Sequence, residues 1–148
     1  MSTQTYEQQA RLFAALAHPV RLRMLEVLAE GEACVCHFSA LLQLRQAYVS
    51  QQLATLKEAG LISDKKDGLY VYYCLTDKGI VSLLREARKS LARLTGDDSW
   101  LHPEARLARA EECACPKCQT NHRRQTGRSR AYAPRNTKHV SHQLQESH

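Results

Sequence analysis

The sequence predicts a mainly α-helical fold with one small β-hairpin, and three observations predict it. Apolar residues recur every three or four positions in four successive segments up to residue 59, as on the buried side of amphipathic helices. Between residues 61 and 75 the spacing changes to every second position, around a turn centred on Asp67 and Gly68. Helical spacing returns after residue 77. Residues 1–95 are therefore predicted to form one compact domain.

The first two helices are separated by a proline. The first is predicted over residues 8–17, where His18 and Pro19 interrupt the apolar pattern. Because proline has a fixed φ and no N–H to donate, Pro19 suits the first turn of a second helix, predicted over residues 20–29. Gly31 is placed to end that helix.

The third and fourth helices follow at once. The third is predicted over residues 34–44, and the fourth over residues 46–59, with Gly60 after it. The fourth helix has an apolar stripe at intervals of three or four residues, formed by Val49, Leu53 and Leu56.

The hairpin and the last helix complete the predicted domain. On the second strand Tyr70, Tyr72 and Cys74 share one face, because side chains alternate along a strand. Thr76 or Asp77 is placed to cap a last helix over residues 78–94. Four helices, a hairpin and a fifth helix follow the order of a winged helix-turn-helix, in which the hairpin is the wing.

The remainder of the chain differs in composition. Residues 96–118 form a cysteine-rich extension, and residues 119–148 carry six Lys/Arg against one Asp/Glu with almost no aliphatic side chains. Such a segment cannot bury a core, so disorder is predicted for it. The net charge of +6 favours a partner such as nucleic acid.

Two absences indicate where the chain works. No apolar run approaches the ~18 residues of a membrane helix, and the first residues lack the basic-then-apolar pattern of a secretory signal. We therefore expect a cytoplasmic protein with no membrane partner. Its six cysteines should stay reduced there, and reduced cysteines at short spacings are more often ligands or redox groups than disulfides.

The fourth helix has the character of a DNA-reading helix. Its inward stripe leaves amide and hydroxyl side chains outside, and Gln and Ser can hydrogen-bond to bases. Arg45 and the helix N-terminus suit the phosphate backbone. The predicted DNA-contacting residues are Arg45, Gln46, Tyr48, Ser50, Gln51 and Gln52 of the helix and Lys65, Lys66, Tyr70 and Tyr72 of the wing. A merely solvated polar face is the alternative that these residues leave open.

Cys34 and Cys36 lie near the start of the third helix. Residues two apart on a regular helix point about 200° from one another, so one ion can contact both only if the helix begins between them or unwinds there. A helix N-terminus also lowers the pKa of a thiol, which favours the thiolate that binds metal. The alternative is a pair of small buried hydrophobic residues.

Three stretches of the sequence resemble the bacterial ArsR/SmtB family of metal-sensing repressors. They are FAALAHPVRLRMLEVLAEGEACVCHF, AYVSQQLATLKEAGLI and KKDGLYVYYCL, within residues 8–92. The resemblance implies a homodimer paired through its first and last helices, bound to a twofold-symmetric operator in double-stranded DNA. It also implies that Cys34 and Cys36 are ligands of an inducing ion, as in arsenic, cadmium and lead sensors. Where the family often has His and Arg, this sequence has Gln52 and Leu69.

Cys34 and Cys36 alone supply too few thiols for a complete metal site. The arsenite-sensor pattern often has a third cysteine three residues after the second, and this sequence has Ser39 there. Two thiolates are too few for a pyramidal As(III) site or a tetrathiolate Cd(II) site, and residues 1–33 contain no cysteine. We therefore predict a composite site, in which Cys34 and Cys36 are joined by one or two thiols of the extension.

The donors at hand are the cysteines of CACPKC. They are Cys113, Cys115 and Cys118. Two alternatives stay open: a separate Zn(II) site made of these three thiols with His122, or no metal-binding role. His37 is expected on the helix surface, and Cys74 is expected to be structural.

The function predicted from these observations is a transcriptional repressor released from DNA by a thiophilic ion. Soft thiolates select such ions, with As(III) the first choice and Cd(II), Pb(II) or Zn(II) the alternatives; no permanent cofactor is expected. A repressor that senses oxidants through the same thiols is a further alternative. A thiol enzyme is not expected, because the sequence lacks the strand, Cys-x-x-Cys and helix context of a thioredoxin motif.

Overall fold

The structure, a computed structural model, describes residues 2–101, 113 and 115–117. Within these residues the predicted class, mainly helical with a small hairpin wing, is confirmed. The elements are α1 (Thr3–Leu16), α2 (Pro19–Glu30), β1 (Ala33–Cys34), α3 (Val35–Leu42), α4 (Gln46–Glu58), β2 (Ile62–Asp67), β3 (Tyr70–Leu75), α5 (Gly79–Thr95) and a 3₁₀ helix (Asp98–Leu101). The predicted disordered segment 119–148 and the candidate ligands Cys118 and His122 lie outside the described residues.

Helices α1 and α2 meet at the predicted interruption. α1 begins five residues earlier than predicted, because an exposed polar first turn precedes its apolar part. α2 begins at Pro19, and His18 caps it, since its ring Nδ1 accepts a hydrogen bond from the backbone N–H of Val20 at 3.2 Å. Helix α2 ends at Glu30, followed by Gly31.

The third helix is shorter than predicted at both ends. Cys34 lies in the two-residue strand β1, with φ −94° and ψ 166°, and the helix begins at Val35. The prediction that Cys34 is helical is therefore wrong, because antiparallel pairing with Tyr72 holds its backbone extended. The helix ends at Leu42, since Gln43 has a left-handed conformation with φ 54°.

A three-stranded antiparallel sheet joins β1 to the wing. Its strand order is β1-β3-β2, so the wing strand β3 is central. The hairpin turns at Gly68, whose φ of 59° favours glycine, and at Leu69, one residue later than predicted. β3 therefore connects the residues around Cys34 with the tip of the wing.

The helix-turn-helix of α3 and α4 packs on the other helices and on one face of the sheet. Val49, Leu53 and Leu56 of α4 are completely buried, as the apolar stripe predicted. The other core side chains come mainly from α2, which contributes four, and from α1, α3, β2 and α5, including Phe38 of α3 and Ile62 of β2. This packing fixes which side of α4 faces solvent.

Apolar side chains stay exposed on α1 and α5. Ile80 and Leu84 of α5 enter the core, but Leu94 is 83% exposed and Phe13 of α1 is 48% exposed. Asp77 caps α5 as predicted, because its carboxylate accepts a hydrogen bond from the N–H of Gly79 at 2.7 Å. Within the described residues, every helix is too short or too polar to cross a membrane.

Candidate metal centre and DNA-binding surface

The junction between β1 and α3 brings Cys34 and Cys36 together. The helix begins between them, which is the condition that their spacing sets for contact with one ion. Their Sγ atoms lie 2.7 Å apart. Cys34 is buried and Cys36 is half-buried. The two thiols therefore face the same point without any unwinding of α3.

Two thiols of the cysteine-rich extension lie against this pair. The Sγ atom of Cys113 is 3.3 Å from that of Cys36 and 3.9 Å from that of Cys34. With Cys115 included, the four Sγ atoms all lie within 4.8 Å of one another. Sulfur atoms bound at about 2.3 Å around a tetrahedral ion lie about 3.8 Å apart, so small side-chain adjustments give this donor set the size of a thiophilic-ion site.

The wing strand closes one side of these thiols. Tyr72 is 3% exposed and packs against Cys34, Cys113 and Cys115, with Tyr70 partly buried beside it. Burial and the neighbouring Cys115 raise the pKa of Tyr72 to about 12. The thiols are therefore bounded by the face of β3 that the sequence assigned to DNA.

The environment of Cys34 opposes the thiolate. Burial, followed by the neighbouring thiol of Cys36, raises its pKa, although a hydrogen bond from the backbone N–H of His37 acts in the opposite direction. The expectation that the helix start would lower this pKa is wrong, because desolvation outweighs the helix N-terminus. An ion bound here would therefore displace protons from the thiols.

Lys117 holds the extension at the edge of the thiols. Its ammonium group donates a hydrogen bond to the carboxylate of Glu32, which lies two residues before Cys34. The same Nζ atom is 3.9 Å from the centroid of the Tyr72 ring, a cation–π contact. This role of Lys117 was not predicted from the sequence, although its positive charge inside the CACPKC cluster indicated an electrostatic role near the thiols.

Cys74 and His37 are two further residues that the sequence singled out. Cys74 is half-buried, and its Sγ atom is 3.2 Å from the hydroxyl of Ser63 on β2. His37 is half-buried, and burial lowers its pKa. The expectations that His37 is a residue of the helix surface and that Cys74 is structural stay predictions.

The outward face of α4 presents part of the predicted DNA-contacting set to solvent. Arg45, Gln46, Ser50 and Gln51 are exposed. Tyr48 is half-buried, and its hydroxyl is 3.4 Å from Nε2 of His18. These residues form one polar surface near the N-terminal end of the helix, as a DNA-reading helix requires.

Gln52 is held by a residue that the sequence analysis missed. Its side-chain oxygen accepts a hydrogen bond from Nη1 of Arg21 at 3.1 Å. The guanidinium of Arg21 also donates to the backbone carbonyls of Ala14 and Ala15 near the end of α1. Arg21 therefore joins α1, α2 and α4, a role that no local pattern indicates because its partners are distant in the sequence.

The wing exposes fewer of the predicted DNA-contacting residues than expected. Lys65 and Lys66 are exposed on β2. The prediction for Tyr72 is wrong, because the thiol-bearing residues of the extension bury its side chain. Tyr70 is half-buried against the same group. The wing surface available to DNA is therefore the lysine-bearing strand.

Comparison with known proteins identifies the family. The profile described as "Bacterial regulatory protein, arsR family" matches residues 18–64. A transcriptional repressor SmtB homolog of Synechocystis is 38% identical over 91 residues, covering 62% of this chain and 69% of the relative. The chain belongs to the ArsR/SmtB family. The arsenic resistance transcriptional regulator ArsR1 of Pseudomonas putida is 36% identical over 106 residues, which cover 68% of this chain and 78% of that one.

Solved structures of similar proteins share the fold. The crystal structure of Rv0081 from Mycobacterium tuberculosis aligns with a TM-score of 0.59 and 36% identity, covering 66% of this chain and 99% of that one. The homodimeric winged helix-turn-helix domain Mb0332 of Mycobacterium bovis aligns with a TM-score of 0.54 and 26% identity, covering 71% and 95%. The ArsR/SmtB assignment confirms the prediction of a DNA-binding transcriptional regulator rather than an enzyme.

The family segment and the thiol group overlap only in part. Residues 18–64 contain Cys34, Cys36 and the whole of α4. Cys113 and Cys115 lie beyond that segment. The family profile therefore covers α4 and two of the four thiols. The other two thiols belong to the cysteine-rich extension, outside the matched residues.

Proposed function

We propose that this ArsR/SmtB member is a repressor that binds a twofold-symmetric operator and is released by a thiophilic ion held by Cys34, Cys36, Cys113 and Cys115. One observation carries the proposal: the four Sγ atoms lie within 4.8 Å of one another, directly before the first helix of the DNA-reading motif. Soft thiolates select soft ions over Mg(II) or Ca(II). Cys118 lies outside the described residues and stays a predicted ligand.

As(III) is the first-choice ion. Cys34, Cys36 and Cys113 form a group of three with Sγ separations of 2.7 to 3.9 Å, suited to a pyramidal trithiolate. The similarity to an arsenic resistance regulator supports the same choice. A specific observation also favours Cd(II), Pb(II) or Zn(II), because Cys115 adds a buried fourth thiol for a tetrahedral set.

The response passes through two elements attached to the thiols. Cys34 pairs with Tyr72 of the wing strand, and Cys36 lies in the first turn of α3, which packs on α4. A bound ion supplies bonds that fix the extension to this junction. Cys34 and Cys36 then hold β3 and α3 in an arrangement that no longer matches the operator. A coupling free energy of about 1–3 kcal/mol would weaken DNA binding several-fold to about a hundredfold.

We propose a homodimer paired through α1 and α5. These helices expose the side chains of Tyr6 (59%), Phe13 (48%), Leu91 (40%) and Leu94 (83%), which a second copy would cover. The homodimeric Mb0332 domain supports this assembly. The two α4 helices would then read half-sites about 34 Å apart.

The test measures operator release by fluorescence anisotropy. An operator duplex is first selected from a random library, and As(III), Cd(II), Pb(II) and Zn(II) are then titrated into the complex. We expect As(III) to release the operator from the wild type and from the control variant Cys74→Ser, whose substituted thiol lies outside the four. We expect no release from Cys34→Ser. Retention of the operator at saturating levels of all four ions would refute the proposal.

The oxidant-sensing alternative has one observation in its favour. The Sγ atoms of Cys36 and Cys113 lie 3.3 Å apart, so a peroxide could take two electrons and two protons from these thiols and leave a disulfide and water. Release of the operator by hydrogen peroxide in the presence of a metal chelator, combined with no release by the ions, would support this alternative over the ion sensor.

A further inference from the structure

Lys117 lies at the edge of the four thiols and has two contacts outside them. Its ammonium group pairs with the carboxylate of Glu32, and its Nζ atom lies 3.9 Å from the centroid of the Tyr72 ring. Glu32 precedes β1, and Tyr72 is the strand partner of Cys34. Both contacts therefore hold Lys117 close to Cys34.

These contacts also place the thiols of the extension. Lys117 follows Cys115 by two residues, so anchoring its ammonium group restricts where Cys115 can lie. Cys115 is 1% exposed and packs in the same cluster as Tyr72. Holding ligands in place before an ion arrives reduces the ordering entropy that binding costs.

The charge of Lys117 matters differently for different ions. Three thiolates around As(III) form a neutral set, whereas four thiolates around Cd(II) or Zn(II) leave two negative charges. A nearby cation stabilises an anionic group. The thiols of Cys34, Cys113 and Cys115 are buried, whereas the Lys117 side chain is 44% exposed, so its charge acts partly through water. Pairing with Glu32 raises the pKa of the ammonium group, and Asp67 and Cys115 act in the same direction by smaller amounts.

Resting on the proposed function, we propose that Lys117 is the ion-specificity-determining residue of this site. Its charge offsets the excess negative charge of the tetrathiolate set, so the site accepts divalent soft ions as well as As(III). Without this charge, the four thiols would favour As(III), whose trithiolate set is neutral.

The chain offers a matched control for the charge. Lys57 forms a comparable ion pair with Asp64 of β2, with Nζ and Oδ1 2.6 Å apart. This pair lies at the end of α4 and makes no described contact with the four thiols. Lys57→Met therefore removes one surface ion pair and one positive charge without touching the site.

The experiment measures the affinities of the full chain for Cd(II) and As(III) by competition with a chelator and a dithiol. Lys117→Met should weaken Cd(II) binding about tenfold, which is the effect of an electrostatic interaction worth about one pKa unit. It should weaken As(III) binding less than about threefold. Lys117→Arg, which keeps the charge, should restore Cd(II) binding, and Lys57→Met should match the wild type. The ultraviolet thiolate-to-Cd(II) absorbance checks that the ligand number is unchanged.

Two results would overturn the inference. In the first, Lys117→Met weakens the binding of both ions by the same factor, which would mean that Lys117 only anchors the extension. In the second, it weakens the binding of neither ion. A failure of the proposed function is recognised separately, because Cys34→Ser would then leave the affinities for both ions unchanged.

Discussion

Helix α4 and the four thiols are held in place by different means. α4 lies on three completely buried side chains of its own, Val49, Leu53 and Leu56, and its outward residues follow from that packing. The thiols come from a strand, a helix and a distant extension. Among the described residues they contact one another, Tyr72, Tyr70 and Ala40, and Lys117 lies over the Tyr72 ring. In the proposed function, DNA reading would therefore depend on the core, whereas ion binding would depend on the docking of the extension.

The largest expected effect comes from the core beneath α4. Leu53→Ala removes a fully buried side chain and should lower the free energy of unfolding by about 2–5 kcal/mol. Chemical denaturation followed by circular dichroism measures this change. The matched control is Leu69→Ala at the tip of the wing, where Leu69 is 97% exposed, with an expected change within about 0.5 kcal/mol. Equal effects of the two substitutions would mean that α4 is not anchored in this way.

The next largest effect should separate the thiols from α4. Replacing Cys113 and Cys115 together by Ser removes two donors and should lower ion affinity by at least about a hundredfold, above the loss usual for outer-shell partners. Operator binding without ion should stay within about threefold, because α4 does not rest on the extension. Ion titration and anisotropy measure the two quantities. Unchanged ion affinity would favour a site that does not include these thiols.

A smaller effect should come from the outward face of α4. Gln51 is exposed there, and Gln51→Ala should weaken operator binding by about 1–3 kcal/mol and relax the base preference at one position. The unfolding free energy should stay the same. Binding to a selected operator and to its single-base variants provides the measurement, and equal losses on all duplexes would place Gln51 on the phosphate backbone.

The smallest effect should come from the wing. Lys66 is exposed on β2, and Lys66→Ala should weaken binding to all duplexes alike and reduce the salt dependence by about one counterion. Anisotropy across a series of salt concentrations gives the slope. An unchanged slope would mean that Lys66 does not contact a phosphate.

The sequence predicted the helices well because each one carries its own apolar period. It missed the strand β1, since Ala33 and Cys34 become extended only by pairing with β3, almost forty residues later. It assigned Tyr72 to DNA, because alternation along β3 shows which side chains share a face but not what covers that face.

The thiols show a different limit. The ligand count, with Ser39 in place of a third cysteine, indicated that donors had to come from the extension, and the structure places Cys113 and Cys115 beside Cys34 and Cys36. Their role as ligands stays a prediction. The contacts of Lys117 and Arg21 join residues far apart in the chain, and neither the position of Lys117 inside CACPKC nor any period in the sequence indicates their partners.

Arg21 connects the end of α1 to α4 through its side chain. One guanidinium joins the carbonyl end of α1 to the side chain of Gln52 on α4. In the proposed dimer paired through α1, Arg21 would help to set the position of each α4 helix relative to the twofold axis. The length of the Arg21 side chain would then influence the spacing between the two operator half-sites that the proposed dimer reads.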